Sequence, residues 1–313
     1  MWTFGPLIST GRPEHCHPPR MYLSPRPVRL AVCATTVLLV AAVGCAPQDA
    51  SPGGSQAAGQ GKQSCAPGKL ATVTPGKLTV GTDKPAYAPW FVDDDPANGK
   101  GYESAVTYAV AEELGYRKDA VHWQTVPFNS AFAPGAKNFD FDVNQVSISD
   151  SRKQAAAFSA GYYDVRQAVV ALKGSKAARA KSIADLADVK LGAQVGSTSL
   201  DVVNDTIRPH QTAAVFQKND LAKSALKNGQ VDAIVVDLPT AFYITSAELK
   251  DAVVVGQFSQ QGPAEEQFGL VLDKGSKLTG CVTAAVDALR RKGTLAALEK
   301  RWLADAVNVP VLK

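Results

Sequence analysis

Arg152 stands at a position where an arginine could hold the carboxylate group of a small molecule. Residues 141–148 are rich in β-branched and aromatic side chains and predict a strand, and Ser149 predicts the N-cap of a helix that contains Arg152 in its first turn. Ligands of open α/β sheets bind beyond the carboxyl ends of the strands, and arginine binds a carboxylate through two parallel hydrogen bonds. The segment therefore indicates a carboxylate site, with a solvated first-turn arginine as the alternative.

Two further segments end in groups suited to such a site. Residues 190–195 predict a strand, and the small residues Ser197 and Thr198 follow it before the next helix. Backbone N–H groups in such a turn can bind an anion, although a serine N-cap without a ligand has the same sequence. Residues 231–236 predict a buried strand that ends in Asp237. An aspartate there is costly to bury alone, so we expect a cationic partner.

The pattern around Arg152 resembles the signature of the extracellular solute-binding proteins of ABC transporters that bind polar amino acids. That signature is close to D-hydrophobic-x-x-x-(S/T)-I-(S/T)-x-x-R, followed by F-S-x-x-Y. The resemblance extends over residues 77–303. The matching positions are Ser147, Ile148, Ser149, Arg152, Phe158, Ser159 and Tyr163.

The resemblance implies an α/β protein with the two-lobed periplasmic-binding-protein-like fold of type II, in which two crossover strands with a hinge join two α/β lobes. The expected segments are residues 65–167 for the first lobe and 168–266 for the second. Residues 267–313 are expected to return to the first lobe and to form the closing helices. A ligand that contacts both lobes would shift the protein toward a closed conformation.

The family's binding positions predict where each part of an amino acid would lie. Arg152, with the amides of the Ser197 turn, would face the carboxylate, and Asp237 would face the ammonium group. Positions that match Asp83 and its aromatic neighbours face the side chain of the ligand in the family. The complete predicted set is Asp83, Tyr87, Trp90, Phe128, Gln145, Ser147, Arg152, Ser197, Thr198 and Asp237.

The implied function is the extracellular substrate-binding component of an ABC importer, which captures a polar amino acid and delivers it to membrane permease subunits. The ligand side chain stays open between a cystine-like and a cationic one, and a monomer is expected. An enzyme on the same scaffold, such as a cyclohexadienyl or prephenate-type dehydratase, and a ligand-sensing lipoprotein are the alternatives. No candidate base is set apart from the binding acids, so a protein that is not an enzyme is the prediction.

Residues 1–44 predict a leader that is removed from the mature protein. Its apolar run, residues 30–44, is about 15 residues long and follows Arg26 and Arg29, which is the size and charge pattern of a signal-peptide core rather than of a membrane span. Met21 is a candidate for the true start, because a charged segment normally adjoins that core.

The leader ends in the sequence Ala42-Val43-Gly44-Cys45, which resembles a bacterial lipobox. The resemblance implies cleavage before Cys45, lipidation of its sulfur and a position on the outer side of a bacterial plasma membrane. An ordinary secretory signal is the alternative. Residues 45–64 are rich in Ala, Pro, Gly, Ser and Gln and predict a flexible tether to the lipid.

After the leader, the chain has three cysteines, and two of them remain once Cys45 is assigned to the lipid. Cys65 and Cys281 would then form an even pair in an oxidising compartment, which favours a disulfide between them. Two free buried thiols are the alternative.

The composition excludes some classes of partner. The chain has 313 residues, 45% of them hydrophobic and 20% charged, as in an ordinary globular protein. Of its formal net charge of +4, four arginines and one glutamate before Cys45 contribute most. No basic face for nucleic acid is therefore predicted, and no spacing of His and Cys residues predicts a metal or cofactor site.

Overall fold

The computed structural model describes residues 65–66, 68–259, 265–303 and 309–313, all of which belong to one compact unit. Two sheets with helices packed against them form two lobes. The first sheet has the strand order β2-β1-β3-β10-β4, in which β1, β2 and β3 are parallel and β10 is antiparallel to β3 and β4. Its strands are β1 (Leu78–Thr82), β2 (Val121–Thr125), β3 (Phe141–Asp142), β4 (Ala156–Asp164) and β10 (Gln267–Asp273).

The second sheet has the strand order β11-β9-β5-β8-β6-β7. Its central strand β5 is buried along nearly its whole length, as its run of alanine and valine requires. The strands are β5 (Gln167–Leu172), β6 (Leu191–Gln194), β7 (Ala214–Phe216), β8 (Ala233–Asp237), β9 (Ala252–Phe258) and β11 (Val311–Leu312).

Helices cover both sheets and complete separate hydrophobic cores. The first core combines strands β1 and β10 with the apolar faces of the helices α1, α7 and α8. The second sheet is covered on its two faces by two clusters, which include Leu186 and Leu226 respectively. The α-helices are α1 (Tyr102–Glu113), α2 (Phe128–Ala131), α3 (Asp150–Lys153), α4 (Thr198–Asp201), α5 (Asn219–Lys227), α6 (Leu238–Tyr243), α7 (Thr279–Arg291) and α8 (Thr294–Trp302).

The chain passes between the lobes next to the cleft. The first crossing lies at Val165 and Arg166, between β4 and β5, and the second lies between the end of β9 and the start of β10. The sequence placed residues 267–313 with the first lobe, and α7 and α8 do pack there. The last strand, β11, instead pairs in parallel with β9 of the second sheet and buries Leu312 against it.

The segment that the sequence predicts as a strand over residues 141–148 is strand only at Phe141–Asp142. The backbone then turns at Gln145, whose φ of +48° lies in the left-handed region, and Ser147 makes a single bridge to β10. The helix after it begins as predicted, because the Ser149 hydroxyl accepts a hydrogen bond from the backbone N–H of Arg152. The polar side chains between Asp142 and Ser149 therefore belong to an irregular segment beside the cleft and not to the end of a strand.

The predicted disulfide between Cys65 and Cys281 is confirmed, with a Cα–Cα distance of 5.4 Å. It joins the first described residues to α7, whose buried face includes Cys281. Within the described part of the chain, no helix has both the length and the apolar composition that a membrane crossing would need.

Candidate functional site

A cavity lies between the two lobes, and most of the residues that line it have polar side chains. Carboxylates and carboxamides contribute to the wall, together with hydroxyl groups from the N-cap and first turn of α4. Several members of the predicted set line it, whereas Trp90, Ser147 and Arg152 do not. The lining residues are Asp83, Tyr87, Phe128, Asn144, Gln145, Gln194, Ser197, Thr198, Ser199, Asn219 and Asp237.

Arg152 is buried beside this cavity, at 8% exposure, and joins the two lobes. One guanidinium nitrogen donates to the Ser147 carbonyl oxygen in the first lobe, at 2.6 Å, and the other donates to the Gly196 carbonyl oxygen in the second, at 2.8 Å. The guanidinium carbon lies 4.5 Å from the centre of the Phe132 ring and 5.7 Å from that of Phe128. Burial lowers the pKa of Arg152, but the nearby carboxylates oppose this change, and the group stays a cation.

The close approach of the lobes explains the glycine at position 196. Gly196 has a φ of +71°, and a Cβ atom there would overlap the Oδ1 atom of Asn129 in the opposite lobe. The Asn129 side-chain amide also donates to the Val195 carbonyl oxygen at 3.4 Å. A side chain at position 196 would therefore strain the turn and would require the Asn129 side chain to move.

Asp237 ends β8, as the sequence predicts, and faces the cavity. Its Oδ1 atom accepts a hydrogen bond from the Gln167 side-chain amide at 2.8 Å, and the other end of that amide accepts one from the Ser199 hydroxyl at 2.6 Å. Burial raises the pKa of Asp237 to about 7, and the negative charge of Glu266 adds to the rise. Among the described residues, the carboxylate lacks a positively charged partner within hydrogen-bond reach, and a cation in the cavity would supply one.

Ser147 and Thr198 connect the arginine side of the site to the aspartate side. The Ser147 hydroxyl lies 3.3 Å from the Thr198 hydroxyl and donates to Glu266 at 2.6 Å. The Gln167 amide donates to Thr198 at 3.3 Å as well as to Asp237. A continuous chain of contacts therefore runs from one lobe to the other. In order, it comprises Arg152, Ser147, Thr198, Gln167 and Asp237.

Asp83 lies at the end of β1 on the opposite wall, and its carboxylate is already engaged. The Oδ1 atom accepts a hydrogen bond from the Lys84 backbone at 2.6 Å and lies 3.5 Å from the ammonium nitrogen of Lys218 in the second lobe. The Oδ2 atom accepts a hydrogen bond from the Phe128 backbone N–H at 3.3 Å. The predicted acidic group is therefore present at the cavity, but with a cation of the protein beside it.

The three predicted aromatic residues have different surroundings. Tyr87 and Phe128 line the cavity. Trp90 is fully buried instead, and its ring packs edge-on against three aromatic rings of the first core, including Phe268 at 5.5 Å. Its indole N–H donates to the Thr240 hydroxyl of α6 at 2.9 Å, which is a further direct hydrogen bond between the lobes. Trp90 therefore supports the closed arrangement rather than the cavity wall.

Two residues outside the predicted set shape the site. Gln167 donates to Asp237, as described above, and Glu103 holds the backbone of Gln145. Glu103, in the first turn of α1, is fully buried and accepts hydrogen bonds from the Gln145 backbone at 2.7 Å, from the Gln145 side chain and from the Tyr162 hydroxyl. Burial raises the pKa of Glu103 to about 7. These bonds hold the left-handed turn at Gln145. An acidic residue at the start of a helix is ordinarily a solvated dipole partner, so only the burial reveals its role.

Residues 78–305 match the family model of the bacterial extracellular solute-binding proteins, family 3. The chain belongs to this family. The match covers both lobes and the cavity between them, and it confirms the resemblance seen in the sequence. The members of this family are extracellular solute-binding proteins of bacteria.

Curated family relatives agree with this assignment. A probable histidine-binding protein of Neisseria gonorrhoeae is 27% identical over 246 residues, which cover 76% of this chain and 86% of the relative. The L-cystine-binding protein of Escherichia coli K12 is 26% identical, with 74% of this chain and 85% of the relative covered. An L-arginine-binding protein of Pseudomonas aeruginosa is 27% identical, with shares of 72% and 90%.

Solved structures of family-type binding proteins have the same two-lobed fold. The arginine-, lysine- and histidine-binding protein of Geobacillus stearothermophilus superposes with a TM-score of 0.60 at 25% identity, over 72% of this chain and 94% of its own. An ancestral amino acid-binding protein described as a precursor of cyclohexadienyl dehydratase gives 0.59 at 28% identity, with shares of 73% and 96%. The predicted fold class is confirmed.

Several predictions concern parts or properties that this structure does not reach. The leader, the lipobox with Cys45 and the tether over residues 45–64 lie outside the described residues. Within the residues that are described, no group of three or more His, Cys, Asp or Glu side chains is arranged to hold a metal ion.

Proposed function

We propose that this family 3 protein binds a polar α-amino acid in the cavity between its lobes and delivers it to the permease subunits of an ABC importer. The observation that supports the proposal is the chain of contacts that runs from Arg152, buried beside the cavity, to Asp237 in the cavity wall. The amino acid head group has the matching pair of charges.

Arg152 is the proposed partner of the ligand carboxylate. A guanidinium has five N–H donors, and the two carbonyl bonds of Arg152 leave others for an anion. Ser197 and Thr198 line the cavity and directly follow Gly196, whose carbonyl oxygen accepts a hydrogen bond from Arg152. Desolvating a carboxylate is costly, so these donors must act together.

Asp237 is the proposed partner of the ligand ammonium group. Its raised pKa reflects an anion that is buried without full compensation, and an ammonium group at hydrogen-bond distance would provide that compensation. Asp237 and Thr198 belong to the second lobe, whereas Arg152 and Ser147 belong to the first. One ligand would therefore hold the lobes together, and occupancy would be coupled to closure.

We further propose that the chain is a monomeric binding protein rather than an enzyme, and that a lipid on Cys45 keeps it at the outer face of the plasma membrane. The curated relatives with cystine, histidine and arginine in their names are binding proteins, which supports the first part. Mass spectrometry of the protein from the membrane fraction tests the second part, since it should detect a lipid on Cys45. A Cys45→Ala variant should be released to the medium instead.

Thermal unfolding against a panel of amino acids, cystine and cyclic carboxylic acids tests the binding function. A ligand at about 100 times its dissociation constant should stabilise the protein by roughly 2.7 kcal/mol. Arg152→Ala should abolish the shift, whereas Lys153→Ala, an exposed cation in the same short helix, should preserve it. A shift only with a cyclic acid, accompanied by product formation, would instead support the dehydratase alternative. Normal binding by Arg152→Ala would refute the assigned role of that residue.

A further inference from the structure

Lys218 stands at a helix position that local physical chemistry disfavours for lysine. It is the N-cap residue of α5, with φ −144° and ψ 152°, and its side chain makes no capping hydrogen bond within the described helix. A lysine offers no acceptor for the free N–H groups of the first turn, and the positive end of the helix dipole repels its charge. The benefit of a lysine here must therefore come from contacts outside α5.

The Lys218 side chain crosses the cleft to the first lobe. Its ammonium nitrogen lies 3.5 Å from the Oδ1 atom of Asp83 and donates a hydrogen bond to the Lys84 carbonyl oxygen. The Asp83 side chain is 12% exposed and that of Lys218 is 38% exposed, so solvent screens this pair less than a fully exposed one. Both contacts require the lobes to be together, and they hold the ammonium group beside an acid that lines the cavity.

Asp83 is the acid of the cavity that the head group of an amino acid does not use in the proposed function. Among the described lining residues, Asp83 and Asp237 carry the carboxyl groups, and Asp237 is the proposed partner of the ligand ammonium group. The backbone N–H groups of Lys84 and Phe128 donate to the Asp83 carboxylate and hold it in place. A cationic ligand side chain would be attracted to Asp83, but Lys218 already compensates that negative charge.

We propose that Lys218 determines specificity through its ion pair with Asp83 across the cleft, so that the closed site accepts polar amino acids with uncharged side chains and rejects those with ammonium or guanidinium side chains. This inference rests on the proposed amino acid function. A cationic side chain would either displace Lys218 from Asp83, which breaks a contact between the lobes, or lie beside a like charge. Both alternatives weaken binding, and specificity is the resulting difference in affinity between the two ligand classes.

Matched ligand pairs test the proposal on the wild type and on Lys218→Met. Citrulline resembles arginine in length and shape but ends in an uncharged ureido group, and glutamine compares in the same way with ornithine. Calorimetric titration of the purified wild type should show tighter binding of the uncharged member in at least one pair. Methionine keeps an unbranched apolar side chain without the charge, so Lys218→Met should shift the ratio of the two affinities by about tenfold or more toward the cationic member.

Three further variants assign the shift to the ion pair. Lys218→Arg keeps the positive charge and should keep the wild-type preference. Lys227→Met removes an exposed lysine at the other end of α5 and should bind as the wild type does. Adding Asp83→Asn to Lys218→Met should remove the gained preference for the cationic member, because the attraction to the carboxylate is then lost.

The outcomes separate the role of Lys218 from the function on which it rests. Equal or tighter binding of arginine and ornithine by the wild type would overturn that role and leave the binding function intact. An unchanged affinity ratio in a Lys218→Met variant with a native circular dichroism spectrum would do the same. An equal shift in Lys227→Met, or a gain that persists in the double variant, would also overturn it. No binding of any amino acid or of cystine by the wild type would overturn both.

Discussion

The raised pKa of Asp237 predicts that ligand affinity depends on pH. Without ligand, burial raises this pKa from 3.8 to about 7, so the carboxyl group keeps its proton at lower pH. The ammonium group of an amino acid requires the ionised form, and binding must therefore release the proton. Since the folded pKa is raised, the binding-competent fraction falls as the pH falls through 7.

The magnitude follows from the titration of one group. About half of the molecules carry an ionised Asp237 near pH 7, about a tenth near pH 6 and about a hundredth near pH 5. Affinity should thus drop about fivefold between pH 7 and pH 6 and about tenfold between pH 6 and pH 5, or roughly 2.3 kcal/mol in all. Titration calorimetry near pH 6 in buffers of different ionisation enthalpy should detect release of about 0.9 proton per bound ligand.

Two variants isolate the group responsible. Asp237→Asn cannot titrate and should bind weakly with a flat pH profile. Glu103→Gln removes another carboxyl group whose pKa is raised to about 7, but that group faces Gln145 and Tyr162 rather than the cavity, so the slope should persist. A wild-type affinity that is constant from about pH 5 to pH 8 without proton release would refute the reasoning, as would a slope that survives in Asp237→Asn.

Three further perturbations concern stability and closure. Glu103→Ala removes the acceptor of three buried hydrogen bonds and should lower the free energy of unfolding in urea by roughly 3 kcal/mol or more. Replacing Cys65 and Cys281 with alanine opens a loop with a sequence separation of 216 and should cost up to about 5 kcal/mol, measured in the same way. Thr240→Val leaves the Trp90 indole N–H unpaired in the closed form and should weaken ligand binding about fivefold, as measured by calorimetry.

Controls and contrary results are specific to each change. Glu112→Ala alters an exposed acid of the same helix and should be nearly neutral, so equal losses at both positions would contradict the role of Glu103. Equal stability of the oxidised wild type and of the variant with alanine at positions 65 and 281 would contradict the expected contribution of the disulfide. Thr240→Ser retains a hydroxyl and should bind normally, and normal binding by Thr240→Val would show that the interlobe bond does not contribute to closure.

Local signals in the sequence predicted the helix that contains Arg152 and the strand that ends in Asp237. The N-cap at Ser149 and the position of Arg152 depend on residues three apart, and Asp237 ends a strand whose valines and isoleucine are all buried. The disulfide followed from the number of cysteines. These features need no knowledge of what lies across the cleft.

Features that depend on contacts between distant segments were not predictable in this way. The predicted strand stops after Asp142 because Glu103, which lies in an earlier helix, binds the backbone of Gln145 and stabilises a turn that a strand cannot contain. Trp90 is an aromatic residue in a loop beside the predicted site, which favoured a place in the cavity wall. It lies in the core instead, since three aromatic rings and Thr240 surround it. Contacts between segments that are distant in the sequence determine where such residues lie in the fold.

The pairing of β11 with β9 has a topological consequence. Counted over the described elements, the chain passes from one lobe to the other after β4, after β9 and after α8, which is an odd number of passages. Cys65 is bonded to the first lobe, whereas Leu312 is buried in the second. Fluorescent labels attached near these two residues would therefore lie on different lobes, and energy transfer between them would report the proposed opening and closing of the cleft in real time.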